Sequence, residues 1–110
     1  MTPSDSASGS SSDSAAASPL AGRRLTARIT GEVQAVGFRY RTLQQANRLG
    51  LTGVVSNSSD GSVHVVAEGG PAEIAGLLQW LRSPAAPGTV TGVEESLSAA
   101  TGEFPDFRTD

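Results

Sequence analysis

Apolar and polar side chains alternate along the first patterned stretch of the chain. Leu25 to Val33 places apolar residues or glycine at every second position and polar residues between them. A period of two with one polar face predicts an antiparallel strand that is covered on one side. Between Phe38 and about Leu49 the apolar positions Leu43, Ala46 and Leu49 lie three apart, and Gly50 follows. This spacing predicts a helix that ends at the glycine.

A hairpin and a second helix follow along the chain. Residues 51–56 and 62–68 are rich in strand-forming residues, and the segment between them contains the step Asp60-Gly61. Asp-Gly between two such runs predicts a tight turn. Pro71 stands at the favoured first position of a helix that ends before Pro84. Its apolar residues have the i, i+3, i+4, i+7 spacing of one helical face.

The pattern in the last part of the chain predicts a fourth strand and is compatible with a short fifth strand. Val90 to about Leu97 is interpreted as a fourth strand, and Phe104–Phe107 as a short fifth that its proline confines to an edge. The order β-α-β-β-α-β is that of the split β-α-β, or ferredoxin-like, α+β fold. We therefore expect two helices on one face of a four- to five-stranded antiparallel sheet.

Composition sets the boundaries of this domain. Residues 1–21 are almost entirely Ser, Ala, Gly, Asp and Pro, which predicts a disordered tail before a domain at 22–110. The net charge is −3, without the basic excess of a general nucleic-acid binder. No segment has the roughly 18 apolar residues of a membrane span. The absence of cysteine and the single histidine leave a metal site without ligands. These features predict a cytoplasmic protein with no metal, nucleic-acid or membrane partner.

The loop between the first strand and the first helix is the strongest candidate for a binding site. Such a loop turns its backbone N–H groups toward one point, next to the positive end of a helix dipole. Arg39 lies in the first helical turn, where the dipole disfavours a cation unless an anion is bound there. The alternative is an ordinary corner with a solvated arginine. The predicted anion-binding loop consists of Gln34, Ala35, Val36, Gly37 and Phe38.

Asn57 is the second candidate, at the end of the second strand. Taken alone, an asparagine before a turn is explained by local hydrogen bonding. In the predicted fold, however, the second strand is next to the third, and the third pairs with the first. Asn57 and the loop therefore meet at one end of the sheet.

Two motifs resemble those of the acylphosphatase family. Residues 31–39, G-E-V-Q-A-V-G-F-R, are similar to its first motif, G-x-V-Q-G-V-G-F-R. Residues 53–63 with Gly69 are similar to its second, G-W-V-x-N-x-x-D-G-x-V and a later glycine. Ala35 replaces a usual glycine, Val54 a usual aromatic residue, and Ser56 a longer, often basic one. The resemblance covers about Leu25 to Phe107.

The resemblance implies hydrolysis of acyl phosphates to a carboxylate and inorganic phosphate, without metal, cofactor or covalent intermediate. Arg39 and the loop amides would bind the phosphoryl oxygens, and Asn57 would position the attacking water. The substrate's own phosphate could accept the proton, since an amide is too weak a base. The partners expected are a small acyl phosphate and inorganic phosphate as product inhibitor, with the protein a monomer.

Other functions stay open on the sequence alone. Ala35 allows a catalytically weak domain that binds the anion without turnover. The fold also allows an RNA-binding module, although its open face offers Thr26, Arg28, Thr30 and His64 instead of aromatic residues. A dimeric regulatory module for a small molecule is the third alternative. Asp60 is explained by turn geometry and His64 by a solvated strand position.

Overall fold

A computed structural model describes residues 22–110, so the predicted tail at 1–21 lies outside the described residues. Neither helix in the described part is long and apolar enough to cross a membrane. The elements in chain order are β1 (Arg23–Glu32), α1 (Phe38–Arg48), β2 (Thr52–Asn57), β3 (Val63–Gly69), α2 (Pro71–Leu81), β4 (Thr89–Ala99) and β5 (Phe107–Thr109).

The strands form one five-stranded sheet in the order β4-β1-β3-β2-β5. β1 pairs antiparallel with both β3 and β4, and β2 pairs antiparallel with β3. The predicted α+β, ferredoxin-like fold is confirmed. One detail differs, because β5 runs parallel to β2 and the sheet is therefore mixed.

Residues 100–106, here called the crossing segment, account for this parallel pairing. β4 ends at the end of the sheet where β2 begins. The crossing segment carries the chain from the β4 edge to the opposite edge, so β5 leaves in the same direction as β2. The predicted fifth strand at Phe104–Phe107 therefore begins only at its last residue, and its proline lies in the crossing segment.

Both helices pack on one face of the sheet, where the alternating apolar residues of the central strands are buried. Phe38, the first residue of α1, is 1% exposed, and its ring centroid lies 6.1 Å from that of Trp80 on α2. The start of α1 is thereby fixed to the core. The buried residues of β1, β3 and α2 are Leu25, Ala27, Ile29, Val63, Val65, Ala67, Ile74, Leu77 and Leu81.

A bulge bends the end of β1. The register between β1 and β4 shifts between Thr30 and Gly31, and Gly31 has a φ of 125°. A Cβ at this position would lie 2.0 Å from the carbonyl oxygen of Thr89. Only glycine permits this approach of β4, so the bulge directs the chain that leaves β1 into the following loop.

Glu68 binds the crossing segment on the open face of the sheet, which is the face opposite the two helices. Its carboxylate accepts the backbone N–H groups of Thr101 at 3.0 Å and Gly102 at 2.9 Å, and Arg24 Nε at 2.7 Å. Burial acts to raise the pKa of Glu68, but these donors outweigh it and lower the pKa to about 2. The carboxylate is thus held ionised although its residue is only 4% exposed.

Candidate active site

A pocket of about 240 Å³ lies at the end of the sheet where β1, β2 and β5 finish. The loop after β1 forms one side, the first turns of α1 a second, and the last residues of β2 and β5 a third. Its lining consists of Val33, Ala35, Gly37, Phe38, Arg39, Tyr40, Leu43, Asn57 and Thr109. The fold therefore brings the two sequence candidates, the loop with Arg39 and Asn57, into one pocket.

The loop residues before α1 adopt an unusual backbone conformation. Ala35 has a φ of 62° and Gly37 a φ of 77°, so both are left-handed. Gly37 is the N-cap of α1, no side chain caps this end, and the first turn contains no acidic residue. Among the turn and cap hydrogen bonds recorded for residues 22–110, none has a backbone N–H of residues 35–38 as donor. These donors and the positive helix end suit an anion.

Arg39 is half-buried and its guanidinium faces the end of β5. Its Nη1 donates to the main-chain oxygen of Asp110 at 2.8 Å. None of the ion pairs within residues 22–110 includes Arg39. A guanidinium has five N–H donors in a fixed plane. A single main-chain partner therefore orients Arg39 while leaving donors for a ligand.

Asn57 is the last residue of β2 and is exposed at the pocket. It pairs across the hairpin with Val63, which is fully buried. The turn beyond it is fixed by Asp60, which accepts the Ser62 N–H at 2.9 Å and Arg28 Nη2 at 2.8 Å. Hydrogen bonds from Ser62 and then Arg28 hold the pKa of Asp60 well below its usual range. These contacts are those of a turn residue, as expected.

Gln34 connects the loop to this same turn. Its side-chain Nε2 donates to the carbonyl oxygens of Ser58 at 2.7 Å and Ser62 at 2.9 Å. The side chain therefore points to the hairpin and not into the pocket. Gln34 acts as a tether between the loop that precedes Arg39 and the turn that follows Asn57.

Five of the seven predicted site residues line the pocket, namely Ala35, Gly37, Phe38, Arg39 and Asn57. Gln34 and Val36 do not, and Val36 is 44% exposed on the outer side of the loop. Their backbone still forms the loop. The sequence analysis missed Val33, Tyr40, Leu43 and Thr109. A signal existed for Leu43, which follows Arg39 by four positions and therefore lies on the same helix face.

The other chemically active side chains lie away from the pocket. His64 is exposed on the open face of the sheet, paired with Arg28 across the strands. Glu94 and Glu95 lie on opposite faces of β4, and Glu95 forms an ion pair with Arg82. Within residues 22–110 no three His, Asp or Glu side chains are grouped closely enough to hold a metal ion.

Comparisons with known proteins show the family to which the chain belongs. The family model described as Acylphosphatase matches residues 25–109. An acylphosphatase of Paenarthrobacter aurescens (strain TC1) is 58% identical over 85 residues, which cover 77% of this chain and 90% of that protein. One of Arthrobacter sp. (strain FB24) is 55% identical over 84 residues, with 76% and 77% covered. The crystal structure of acylphosphatase from Bacillus subtilis matches with a TM-score of 0.73 at 28% identity, covering 80% of this chain and 98% of that one. Since the family model matches residues 25–109 and both relatives are more than half identical over most of this chain, the chain belongs to the acylphosphatase family of hydrolases.

Proposed function

We propose that this chain hydrolyses acyl phosphates at the pocket between the loop, α1 and the ends of β2 and β5. The observation that carries the proposal is the lining itself: three of the five loop residues line one pocket together with Arg39 and Asn57. In this proposal Arg39 and the loop N–H groups hold the phosphoryl oxygens. The side-chain amide of Asn57 holds the attacking water.

The reaction follows from these roles. The water oxygen forms a bond to phosphorus while the bond between phosphorus and the acyl oxygen breaks. The electron pair of that bond leaves with the acyl oxygen, which gives a carboxylate. Both protons of the water remain on oxygens of the product phosphate. Negative charge is spread over the three equatorial phosphoryl oxygens in the transition state, and fixed N–H donors stabilise that charge without rearranging.

The residues that line the pocket also indicate which group accepts the proton of the attacking water. No Asp or Glu side chain belongs to the pocket lining. A side-chain amide does not take a proton at neutral pH. The substrate's own phosphoryl oxygens are therefore the acceptor in this mechanism. Because the guanidinium and N–H groups supply positive charge, we expect full activity in EDTA and competitive inhibition by inorganic phosphate.

Substitution of Arg39 and Asn57 tests the two roles separately. Arg39→Ala should lose phosphate affinity and lower kcat/KM by about 100- to 1000-fold, the value of one oxyanion donor. Asn57→Ala should lower kcat and retain phosphate affinity, since its partner is water. Arg41→Ala is the matched control, because Arg41 is exposed and does not line the pocket. The measurements are hydrolysis of acetyl phosphate and calorimetric titration with inorganic phosphate.

The results of these experiments distinguish between the possible roles of the site and of its two side chains. Loss of phosphate affinity in Asn57→Ala with kcat retained would show that the two roles are exchanged. Phosphate binding by the native chain without hydrolysis of any acyl phosphate would leave an anion-binding domain in place of an enzyme. Activity that disappears with EDTA and returns with Mg²⁺ would overturn the metal-free mechanism.

We further propose that the protein acts as a monomer in the cytoplasm. The residues given a role in the mechanism, Arg39, Asn57 and the loop at 34–38, all lie in residues 34–57, so the proposed reaction requires no second copy. Sedimentation velocity at assay concentrations checks the monomer, and cell fractionation checks the location.

A further inference from the structure

Successive residues of the loop after β1 face in different directions. Val33, Ala35 and Gly37 line the pocket, whereas Gln34 and Val36 do not. The side chain of Gln34 is bound to the hairpin turn. The side chain of Val36 lies on the outer side of the loop, and the mechanism above gives it no role.

Val36 lies against the connection between α2 and β4. This connection, residues 82–88, is here called the proline loop because it contains two prolines. A Cβ placed on Gly88 would lie 3.1 Å from Cγ2 of Val36 and would overlap the carbonyl oxygen of Glu32. The main chain at Gly88 is therefore in close contact with a side chain of the anion-binding loop and with the end of β1.

The proline loop is itself held in place. Ala86 is buried in the core, and its N–H donates to the carbonyl oxygen of Ser83 at 3.2 Å. The hydroxyl of Ser83 donates to the carbonyl oxygen of Trp80 at 2.8 Å, and the Trp80 ring packs against Phe38. The two prolines fix φ at their own positions. The end of α2 and the proline loop thus contact the anion-binding loop at two of its residues, Val36 and Phe38.

The anion-binding loop needs support of this kind from outside. Its backbone N–H groups at 35–38 donate none of the turn and cap hydrogen bonds recorded for residues 22–110, and Ala35 and Gly37 are both left-handed. Backbone hydrogen bonds from these groups therefore do not fix the shape in which the donors converge. Contacts with neighbouring elements have to fix it, because a site that binds tightly must be ordered before the ligand arrives.

We infer that Val36 is a positioning residue, which holds the anion-binding loop in its phosphate-binding shape by packing against Gly88 of the proline loop. The inference rests on the proposed function and adds to it a segment that lies outside the pocket. Without this contact the empty loop would adopt other conformations and would return to the same shape when phosphate binds. Such a loss weakens the binding of phosphate and of the transition state by the same factor, so KM rises and kcat stays unchanged.

Val36→Ala tests the contact from the side of the anion-binding loop. The Kd of inorganic phosphate, measured by calorimetric titration, and the KM for acetyl phosphate should both rise about two- to ten-fold, the range for one lost ordering contact. Val36→Ile should keep the native values, because it retains the Cγ2 methyl group that faces Gly88. Leu97→Ala is the matched control: Leu97 is 47% exposed, close to the 44% of Val36, and does not line the pocket.

Gly88→Ala tests the same contact from the side of the proline loop. The added Cβ would press on Val36 and on the Glu32 carbonyl oxygen, so phosphate affinity should fall again. Gly102→Ala is the matched control, because Gly102 has a φ of 76° against 75° for Gly88. No atom of the described part of the chain, apart from its neighbours in sequence, lies within 4 Å of a Cβ at Gly102. Both variants carry left-handed strain, and only Gly88→Ala should bind phosphate more weakly.

The results distinguish failure of this inference from failure of the proposed function. If the native chain binds phosphate and either Val36→Ala or Gly88→Ala keeps the native affinity, the positioning role is wrong and the proposed function stands. A fall in kcat of Val36→Ala at unchanged phosphate affinity would also refute the inference. If the native chain neither binds phosphate nor hydrolyses acetyl phosphate, the proposed function fails and the inference fails with it. Thermal unfolding identifies any loss that comes from folding, and Val36→Ala should change the melting temperature little, because the side chain is exposed.

Discussion

Ala35 holds a backbone conformation that its own Cβ disfavours. Its φ of 62° is left-handed, which costs an L-residue other than glycine roughly 1–2 kcal/mol. Gly37, two residues later, has a similar φ without that cost. The loop thus keeps the shape that a glycine would give, although one of its residues carries a methyl group. The strain is stored where the phosphoryl group is proposed to bind.

We expect Ala35→Gly to stabilise the protein. Relief of the left-handed strain exceeds the 0.4–1 kcal/mol that a more flexible unfolded chain costs, so the free energy of unfolding should rise by about 1 kcal/mol. A negative φ at Ala35 would have predicted the opposite sign. If the methyl group also crowds the ligand, kcat/KM should rise by up to about ten-fold, which corresponds to 1.4 kcal/mol.

Denaturant unfolding and kinetics on this one variant check both statements. Ala75→Gly is the matched control, because Ala75 is exposed inside helix α2. There glycine should lower the free energy of unfolding by about 1 kcal/mol. An equal loss in Ala35→Gly would show that residue 35 is not left-handed in solution.

At the scale of elements, the site depends on how the loop and the hairpin are held together. Arg39 belongs to α1 and Asn57 to the end of β2, so their relative position is set by contacts between these elements. Gln34 makes the direct connection, with one side-chain amide donating to two carbonyl oxygens of the turn. This arrangement makes Gln34 a positioning residue, distinct from the groups proposed to touch the substrate.

We expect Gln34→Ala to lower kcat more than it lowers phosphate affinity. The loop and Arg39 remain together when the tether is lost, whereas the hairpin that carries Asn57 can shift, and a misplacement of about 1 Å can cost 100-fold in rate. Gln79→Ala, an exposed glutamine on α2, is the control and should behave as the native chain. Equal losses in kcat and in phosphate affinity would mean that Gln34 supports the loop alone.

Residue patterns within a few positions predict most of the helices and strands, whereas the direction of β5 depends on the strand with which it pairs. The turn at Asp60-Gly61 and the start of α2 at Pro71 follow from residues that act within a few positions, and both predictions are confirmed. β5 has three residues and no periodicity, so its direction depends on the crossing segment, which the pattern does not encode. For the same reason Thr109 could not be predicted as a pocket residue. The φ of Ala35 was likewise undetermined, because the residue type disfavours the conformation that the surrounding loop imposes.

At the scale of the whole molecule, Glu68 links both edges of the sheet. It lies on the central strand β3 and holds the crossing segment, which runs from the edge strand β4 to the edge strand β5. Arg24 completes the arrangement, since its guanidinium also contacts Glu103 and lies 5.4 Å from the ring centroid of Phe104. Loss of this carboxylate should therefore loosen the far end of the sheet, away from the pocket.

This arrangement predicts an acid-sensitive contribution to stability. The pKa of Glu68 is lowered from 4.5 to about 2 in the folded protein. A lowered pKa stabilises the fold fully above about pH 4.5, and the contribution is lost as the pH falls toward 2. Glu68→Gln should lower the free energy of unfolding at pH 7 by about 2 kcal/mol, since it removes charge-assisted hydrogen bonds. The difference from the native chain should shrink between pH 4.5 and 2.

Unfolding in denaturant at a series of pH values measures this difference. Glu94→Gln is the matched control, because it removes an exposed carboxylate from the same face of the sheet. A difference between Glu68→Gln and the native chain that stays constant down to pH 2 would show that the carboxylate acts through packing alone.

The short strand β5 has a consequence for the motions of the site. It is an edge strand of three residues that pairs with β2, and hydrogen bonds from Gly53 N–H to Asp106 and from Asp110 N–H to Val55 flank this pairing. Phe107 is buried in the core, whereas Arg108 and Thr109 are exposed. The exposed end of such an edge strand can open locally at a free energy far below that of global unfolding. Opening would remove Thr109 from the pocket and the main-chain partner from Arg39, while the four-stranded antiparallel sheet stays intact. Amide hydrogen exchange in β5 should then slow as phosphate occupies the pocket, which makes the last strand a reporter of ligand binding.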